Sequence, residues 1–402
     1  MSTDNVTVVG AGVAGLTAAL ALARAGRSVT LVERRTGFSE VGAGLQLSPN
    51  ATRLLAGLGL GPALARQACE PPAVIVRDMR SGRTIGGVAL GAFMRERFGA
   101  PYYVIHRADL QTILLDSVRA QPNIRLLMGR ELAGLAQDSL AQDSLTEDSE
   151  GADLVFARAG SADETRRASL VVGADGIWSK MRPLLGDKRT PAYRGYVAWR
   201  ATVPRAEAPP ALAGDETGLW LGPDAHVVHY PVSGGRRVNV VAIMRRRAPV
   251  AGWSELARGA DLLAGLASCA PDLRDLLAVP PEWTLWSLHD LPVGRIASGR
   301  VALIGDAAHP VLPFMAQGAA MAIEDAIVLT RAIVEEAAPA AALARYVRER
   351  VARVRRVQDV ARANGRAYHA GALLGLARNF VMGRLGPTGM TERYAWIYGW
   401  TR

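Results

Sequence analysis

Three glycine-bearing turns and one short strand hold the residues of this 402-residue chain that could do chemistry. The first turn reads Gly10-Ala-Gly12-Val-Ala14-Gly15. Two later apolar runs, Leu170-Val-Val-Gly173-Ala-Asp175-Gly176 and Val301-Ala-Leu-Ile-Gly305-Asp306, end in glycine and an acid. The strand-like segment His226-Val-Val-His229-Tyr230 carries two imidazoles and a phenol. Free backbone N–H groups at a glycine turn suit phosphate oxygens. An acid at the carboxyl end of a buried strand can hold sugar hydroxyls. An imidazole beside a phenol can move protons near neutral pH.

These residues need elements to position them. Val6–Val9 reads as a short buried strand, Leu16–Ala25 as a helix stopped by Gly26, and Ser28–Val32 as the next strand, with Glu33 directly after it. That is a complete strand–GxGxxG–helix–strand–acid unit, the pattern of a dinucleotide-binding fold. Gly10 makes the tight turn, Gly12 admits the pyrophosphate to the backbone, and Gly15 lets the helix pack on the sheet. Glu33 is placed to accept hydrogen bonds from ribose hydroxyls. The unit alone does not distinguish NAD from FAD. Asp175 and Asp306 suit sugar or ribityl hydroxyls, although each read singly is more readily a helix cap or turn residue; together with the fingerprint they form a set. Beyond Asp306, Gln317-Gly318-Ala319 opens a helix running to about Ile333, whose N-terminus suits negative charge. There is no second complete fingerprint, so no separate nicotinamide-binding domain is visible.

Composition narrows the class. The chain is 50% hydrophobic and 21% charged, a globular balance long enough for two domains. Cys69 and Cys269 make neither a disulfide framework nor a metal-ligand spacing, so no metal site is expected and a cytoplasmic setting is the simplest reading. The formal charge of +10 comes almost wholly from arginine. The arginines are dispersed and aromatics are few, which argues against nucleic acid. Phosphate-bearing cofactors, anionic substrates or genomic base bias all fit that charge. Val6–Ala25 is apolar, but residues 1–5, MSTDN, lack a positive region and three glycines interrupt the stretch, so neither a signal peptide nor a membrane span is expected.

The middle of the chain, from VAWRATV at 197–203 through LWLG, HVVHYPV and RRVNVVAI, alternates like a mostly antiparallel sheet with turns between. Alternation puts His226, Val228 and Tyr230 on one face and His229 on the other. Trp199, Trp220 and Phe314 are candidate walls for an apolar pocket, and Arg200 either holds a carboxylate or sits in a surface ion pair. Ala136-Gln-Asp-Ser-Leu140 repeats at once at 141–145, a tandem duplication expected in an exposed loop and given no chemistry. The stretch ERVARVRRVQDVARANGRA has the spacing of an amphipathic helix, packing on the core or on a dimer partner. The tail, with Tyr394, Trp396, Tyr398 and Trp400, is expected to dock onto a groove.

The ordered set of the first fingerprint with Glu33, GAGLQLSPNA at 42–51, HRADL at 106–110, GADG at 173–176 and GDAAHP at 305–310 resembles the single-component flavin-dependent aromatic hydroxylases. This is the p-hydroxybenzoate hydroxylase-like family, and its salicylate, 3-hydroxybenzoate and 6-hydroxynicotinate hydroxylases look closest. The resemblance runs from Val6 to about Arg331. It implies an α/β fold: a Rossmann-type FAD-binding domain interleaved with a mostly antiparallel β-sheet substrate domain, followed by a C-terminal helical segment. The implied division is 1–72, 103–180 and 290–333 for the FAD domain, 73–102 and 181–289 for the substrate domain, and 334–402 for the helical segment.

The resemblance also implies one extended FAD that touches both distant turns. Gly10, Gly12, Ala14 and Gly15 would face its pyrophosphate. Glu33 would hold the adenosine ribose with Arg34 beside it, Leu132 would lie against adenine, and Gln46 and Arg107 would contact the cofactor. Asp175 would serve FAD and the nicotinamide cofactor. Gly305 and Asp306 would meet ribityl or pyrophosphate groups, and Gly318 and Ala319 would offer N–H groups to the flavin. His309 takes a structural role. NADH or NADPH would bind transiently and reduce the flavin. O2 would then give a C4a-hydroperoxide that hydroxylates a small aromatic or heteroaromatic substrate, hydroxylated and carboxylate-bearing. His226, or a His226–Tyr230 relay of pKa near neutrality, would be the base. A monomer or homodimer is implied. An epoxidase or oxidase of the same fold, or a flavin redox sensor, is the alternative. Two departures leave the substrate open: 6-hydroxynicotinate enzymes place a histidine where this chain has Gln46, and 3-hydroxybenzoate enzymes place a glutamine where it has Pro313.

Overall fold

The computed structural model describes residues 5–38, 43–137, 151–158, 161–252 and 254–401. Short Val- and Leu-rich runs, too apolar to face water on either side, form the centre of a six-stranded sheet. Its order is Ala297–Ser298, Val301–Leu303, Leu170–Gly173, Asn5–Val9, Ser28–Glu33 and Ile124–Met128. All neighbours are parallel except the first pair. The helix Val13–Arg24 packs between this sheet and the helices Arg107–Arg119 and Gly318–Glu335. Its alanine-rich sequence is buried from Gly15 to Ala23, which is what close approach to two neighbouring helices requires. Strand order reverses at Asn5–Val9, so the fingerprint turn opens at the topological switch point.

A second, eight-stranded sheet is built from strands at 73–89 and 192–290. Every pairing in it is antiparallel except that of Thr217–Gly222 with Ala73–Asp78. One face packs on the helices Gly259–Gly265 and Pro271–Ala278, over a core that contains Trp199, Trp220 and Trp283. The other face turns toward the nucleotide-binding sheet. The pair Gly44–Leu47 and Tyr103–His106 bridges the two sheets. The duplicated AQDSL segment lies outside the described residues from position 138 onward.

After residue 338 the chain is helical. Pro339 opens a 30-residue helix, Pro339–Tyr368, at a position where a missing N–H costs nothing. Its buried stripe of Leu343, Tyr346, Val354, Val357 and Ala361 completes the main core. The next helix, Ala372–Glu392, breaks at Gly386, where φ is 64°, followed by Pro387. The aromatic tail is docked: the guanidinium of Arg356 lies 3.8 Å from the Trp396 ring centroid and that of Arg353 4.8 Å from Trp400.

Candidate flavin and substrate site

The fingerprint turn is a backbone structure. Gly10 has φ 103°, and a Cβ there would lie 2.4 Å from the carbonyl oxygen of Ala174. At Gly15 a Cβ would fall 1.8 Å from the Gly10 oxygen, so the helix can sit on the turn only with glycine there. Gly12 is the opposite case, with nothing within 4 Å of its would-be Cβ. That gap is the approach a pyrophosphate needs. Glu33 ends its strand with Oε2 accepting from the Ala11 N–H at 2.8 Å and Oε1 from the Arg35 N–H at 3.0 Å. Arg34 is exposed next to it.

The second turn meets the first. A Cβ on Gly305 (φ 60°) would lie 3.0 Å from the Cβ of Ala14, so the absence of a side chain lets the Gly-Asp turn press on the fingerprint helix. Asp306 is exposed at the end of its strand, and its charge interacts with those of His309 and Arg107. Arg107 is the exposed first residue of its helix. Gly318 and Ala319 open the helix that follows. Asp175 has a split role. Its Oδ2 accepts from the N–H groups of Lys180 and Met181 at 2.8 and 3.2 Å, while its buried Oδ1 has no partner. Burial raises its pKa. Leu132 is buried in the main core.

A buried ionic network holds these turns in place. Arg350 donates to Asp325 Oδ1 and Glu324 Oε2, both at 2.6 Å. Glu324 also accepts from Arg353 and Asn50, and Asp325 Oδ2 accepts from the Gly305 N–H at 2.8 Å and meets His309 Nε2 at 2.5 Å. Gln317, which precedes the flavin-side helix, donates to Ser48 Oγ at 2.9 Å. The segments SPN at 48–50 and GDAAH at 305–309 are thus tied through one cluster. His309 is buried in it and does not face the cleft.

On the facing sheet, strand register builds a grid. His226 lies opposite Ile243, which lies opposite Ala198; Val228, Val241 and Arg200 form the next row; Tyr230, Asn239 and Thr202 the third. His226 and Tyr230 are buried, whereas Val228, Val241 and Arg200 are only partly covered. The Tyr230 end is capped by the bridging strand: the Gly44 N–H donates to Asn239 Oδ1 at 2.6 Å, and a Cβ on Gly44 would strike the Tyr230 ring. Gln46 accepts from the Tyr102 hydroxyl at 2.6 Å and also hydrogen-bonds to Tyr230. Gln46 therefore belongs with two tyrosines and not with the fingerprint turn. Burial pushes the Tyr230 hydroxyl well above the ordinary phenol range, so it keeps its proton and is no base.

The His226 end is different. Phe314 and Tyr368 pack against the His226 ring, and its Nδ1 lies 2.7 Å from Nε2 of His369. His226 and Tyr230 are four residues apart on one strand, roughly 13 Å at about 3.3 Å per residue. They share a face but cannot form a direct relay, and the partner of His226 is His369. Nor is His226 poised near neutrality: burial, then His369, hold its pKa well below the usual imidazole value. His229 faces Trp220 on the other side of the sheet. Trp199 and Trp220 are in that opposite core as well, so neither lines this face; the residue before Arg200 on an alternating strand cannot share its side. Phe314 does line it.

Arg200 makes no ion pair among the described residues. Its guanidinium sits 5.5 Å over Trp286, its Nε is buried without a partner, and burial lowers its pKa. With Arg107, Arg237 and Trp286 it lines a cleft of about 610 Å³ between the large sheet and the start of the helix Arg107–Arg119. The described residues contain no cluster of His, Cys, Asp or Glu able to hold a metal ion, and no helix among them is long and apolar enough to cross a membrane.

Two turns that meet across a switch point, with an acid beside each, make the frame of a flavin-binding fold. The chain belongs to the FAD binding domain family of flavin monooxygenases, whose model matches residues 3–361. It is 34% identical to the 3-hydroxybenzoate 6-hydroxylase of Polaromonas naphthalenivorans over 98% of this chain and 96% of that protein. It is 36% identical, with the same coverages, to 3-amino-4-hydroxybenzoate 2-monooxygenase PtnB3 of Streptomyces platensis. Among solved structures, Klebsiella pneumoniae HpxO complexed with FAD and uric acid superposes with a TM-score of 0.83 at 29% identity, covering 98% of this chain and 95% of that one. The protein is a flavin-dependent aromatic monooxygenase, and the open approach at Gly12 with Glu33 and Asp306 fits FAD.

Sequence reasoning did not find His369, the network of Glu324, Asp325, Arg350 and Arg353, or the link from Gln46 to the tyrosines. None has a local signature. The one available hint was a run of acids, Glu324-Asp325, in an otherwise apolar helix, which demands buried partners.

Proposed function

We propose that the enzyme hydroxylates a small aromatic or heteroaromatic acid bearing a ring hydroxyl, using NADH or NADPH and O2. One observation carries this reading. On this sheet face Val228 and Val241 form a partly covered apolar patch, with an uncompensated arginine, Arg200, beside it and His226 one row away. A flat ring rests on the two valines. Its carboxylate reaches Arg200, since a buried guanidinium without a counter-charge stabilises an incoming anion strongly. Its hydroxyl reaches His226, which is neutral at pH 7 and so free to accept a proton.

FAD, when bound, supplies the hydride acceptor and the oxygen-activating ring. Gly10, Gly12, Ala14 and Gly15 take its pyrophosphate, Glu33 and Arg34 its ribose end, and Leu132 the adenine side. Arg107, Gly305 and Asp306 hold the middle, and Asp175 stands nearby. Gly318 and Ala319 present helix N–H groups that favour negative charge on the ring. Tyr230, held through Gln46, orients the substrate and keeps its own proton. Phe314 and Leu312 keep water from the His226 end. The arginine-lined cleft suits the phosphates of the nicotinamide cofactor, which would dock there without a domain of its own. Two supporting relatives are named for hydroxybenzoates.

The test is NADH and NADPH oxidation with O2 uptake and product identification across 3-hydroxybenzoate, 3-amino-4-hydroxybenzoate, 6-hydroxynicotinate and salicylate. Stimulated oxidation that yields a hydroxylated product is expected for at least one acid. Replacing Arg200 by Met should raise KM for that acid about tenfold or more, the value of one charge-assisted contact, and leave FAD content unchanged. An unaltered KM would remove Arg200 as the carboxylate anchor, and absence of product from every acid would sink the substrate class.

A further inference from the structure

The C-terminal helices put a second imidazole behind the first. His369 ends the long helix Pro339–Tyr368 as its C-cap, 143 residues beyond His226, and the two rings meet at 2.7 Å, Nδ1 to Nε2. Both are buried, at 2% and 6% exposure. Tyr196 and Phe314 pack on the His369 ring as well. The contact with His369 occupies His226 Nδ1, which leaves Nε2 as the nitrogen for a second partner. His369 Nδ1 is buried with no partner.

We propose that His369 is a positioning residue that sets the tautomer of His226 and receives its Nδ1 proton when the substrate hydroxyl ionises. This rests on the reading of His226 as the group that meets that hydroxyl.

The chemistry follows from the pair having one hydrogen bond and two ways to make it. If His369 Nε2 accepts, His226 carries its proton on Nδ1 and presents a bare Nε2 to the substrate. When the substrate O–H bond breaks, an N–H bond forms at His226 Nε2, and the Nδ1 proton passes to His369 Nε2. The products are a phenolate, a neutral His226 and a cationic His369. Charge is conserved, and no positive charge stays on the more deeply buried ring. If instead His369 Nε2 donates, His226 holds its proton on Nε2 and serves as a donor to the phenolate. Only the first arrangement can take the substrate proton; after the transfer His369 holds protons on both nitrogens and donates from Nε2 to His226 Nδ1.

The charged and titratable groups around His369 suit a temporary carrier. Asp224, in an ion pair with Arg245 at 3.0 Å, favours the cation, while Arg245 and Arg378 oppose it. Burial is the larger influence and lowers His369 to about 4, so the resting pair is uncharged at neutral pH. Tyr196 and Tyr368 are the remaining titratable neighbours. Below about pH 4 a protonated His369 cannot accept, and transfer should fail; the sign is an acid limb that belongs to His369.

The experiment compares wild-type holoenzyme with His369→Phe, His369→Gln and His226→Phe. The substrate probes are 3-hydroxybenzoate and 3-amino-4-hydroxybenzoate, and [15N]histidine ring NMR reports tautomers without turnover. In ligand-free holoenzyme, His369→Phe should move the His226 ring nitrogens to a different tautomer balance. His369→Gln, which can hydrogen-bond but not carry a proton, should restore part of the wild-type balance. For the probe that is hydroxylated, His369→Phe should lower kcat about 10- to 100-fold with KM nearly unchanged, and shift the acid limb of the kcat profile. Unchanged His226 resonances in both His369 variants would overturn the proposal, turnover or none. If His226→Phe lowers kcat and the His369 variants do not, the relay fails while the reading of His226 stands. If His226→Phe is also silent, that underlying reading fails with it.

Discussion

The fingerprint turn is half-buried and the His226 end of the large sheet is buried, and the two are assembled over very different lengths of chain. At the turn, Gly10, Gly12, Gly15 and Glu33 lie within 24 residues and act mostly through backbone geometry. At the other end, His226 gets its surroundings from Phe314, Tyr368 and His369, which arrive from a loop and a helix far along the chain. The first kind of site tolerates almost no change because atoms would overlap. The second tolerates substitution structurally and loses chemistry instead.

Replacing Gly15 by Val is the hardest test of that contrast. Its Cβ would sit 1.8 Å from the Gly10 oxygen, and neither atom can move without unseating the helix from the sheet. A loss of at least about 4 kcal/mol is expected, in the range reserved for severe backbone or core conflict. Bound flavin per chain and the urea midpoint would both collapse. A yellow, normally stable Gly15→Val protein would mean that the turn is looser than its geometry.

Between the two ends lies the ionic network, and Arg350→Met probes how far each depends on it. The change leaves Glu324 and Asp325 buried with fewer counter-charges, which costs about 3–5 kcal/mol. Burial alone would raise both carboxyls. Arg350 and Arg353 at Glu324, and His309 with Arg350 at Asp325, overcome it, so both pKa values are net lowered. A lowered carboxyl stabilises the fold above its unfolded pKa, near 4, and that stability is lost as pH falls through the lower folded value. Urea unfolding from pH 7 to pH 3 should show a steep acid loss for wild type and a shallower one for Arg350→Met. Parallel curves would mean that Arg350 does not hold those charges.

The same contrast explains what could be read from the chain in advance. The parallel sheet, the fingerprint and the second acid turn are local patterns, and so are the alternation of His226 with His229 and the strand character of 197–243. Trp199 and Trp220 have the residue type of pocket walls but the opposite strand parity to Arg200 and His226, which puts them in the core on the other face of the sheet. His369 had no such signal: an imidazole at the end of an arginine-rich amphipathic helix reads as a solvated cap until the helix is docked. At Gln46 the motif GAGLQL is legible, but the hydrogen bonds of its side chain to Tyr102 and Tyr230 are not, because those tyrosines come from distant segments of the chain. Backbone-driven features are legible because they are written in consecutive residues; side-chain constellations drawn from four segments are not.

The smallest expected effect comes from Glu33→Gln, and it separates the two functions that one carboxylate performs. Both oxygens accept backbone N–H groups in the protein itself, from Ala11 and Arg35. Glutamine keeps one acceptor and turns an NH2 group toward the other N–H. One lost hydrogen bond costs about 1 kcal/mol, so the apoprotein should unfold at slightly lower urea. If Glu33 also holds ribose hydroxyls, FAD should bind about tenfold more weakly, since hydrogen bonds to a charged group are worth about 1.5–3 kcal/mol. Titrating FAD into the stripped protein, beside unfolding of the same samples, measures both. A stability loss with unchanged FAD affinity would leave Glu33 as a strut of the turn alone. Weakened affinity beyond what the stability loss accounts for would give it a direct hold on the cofactor, in a region where backbone otherwise does the binding.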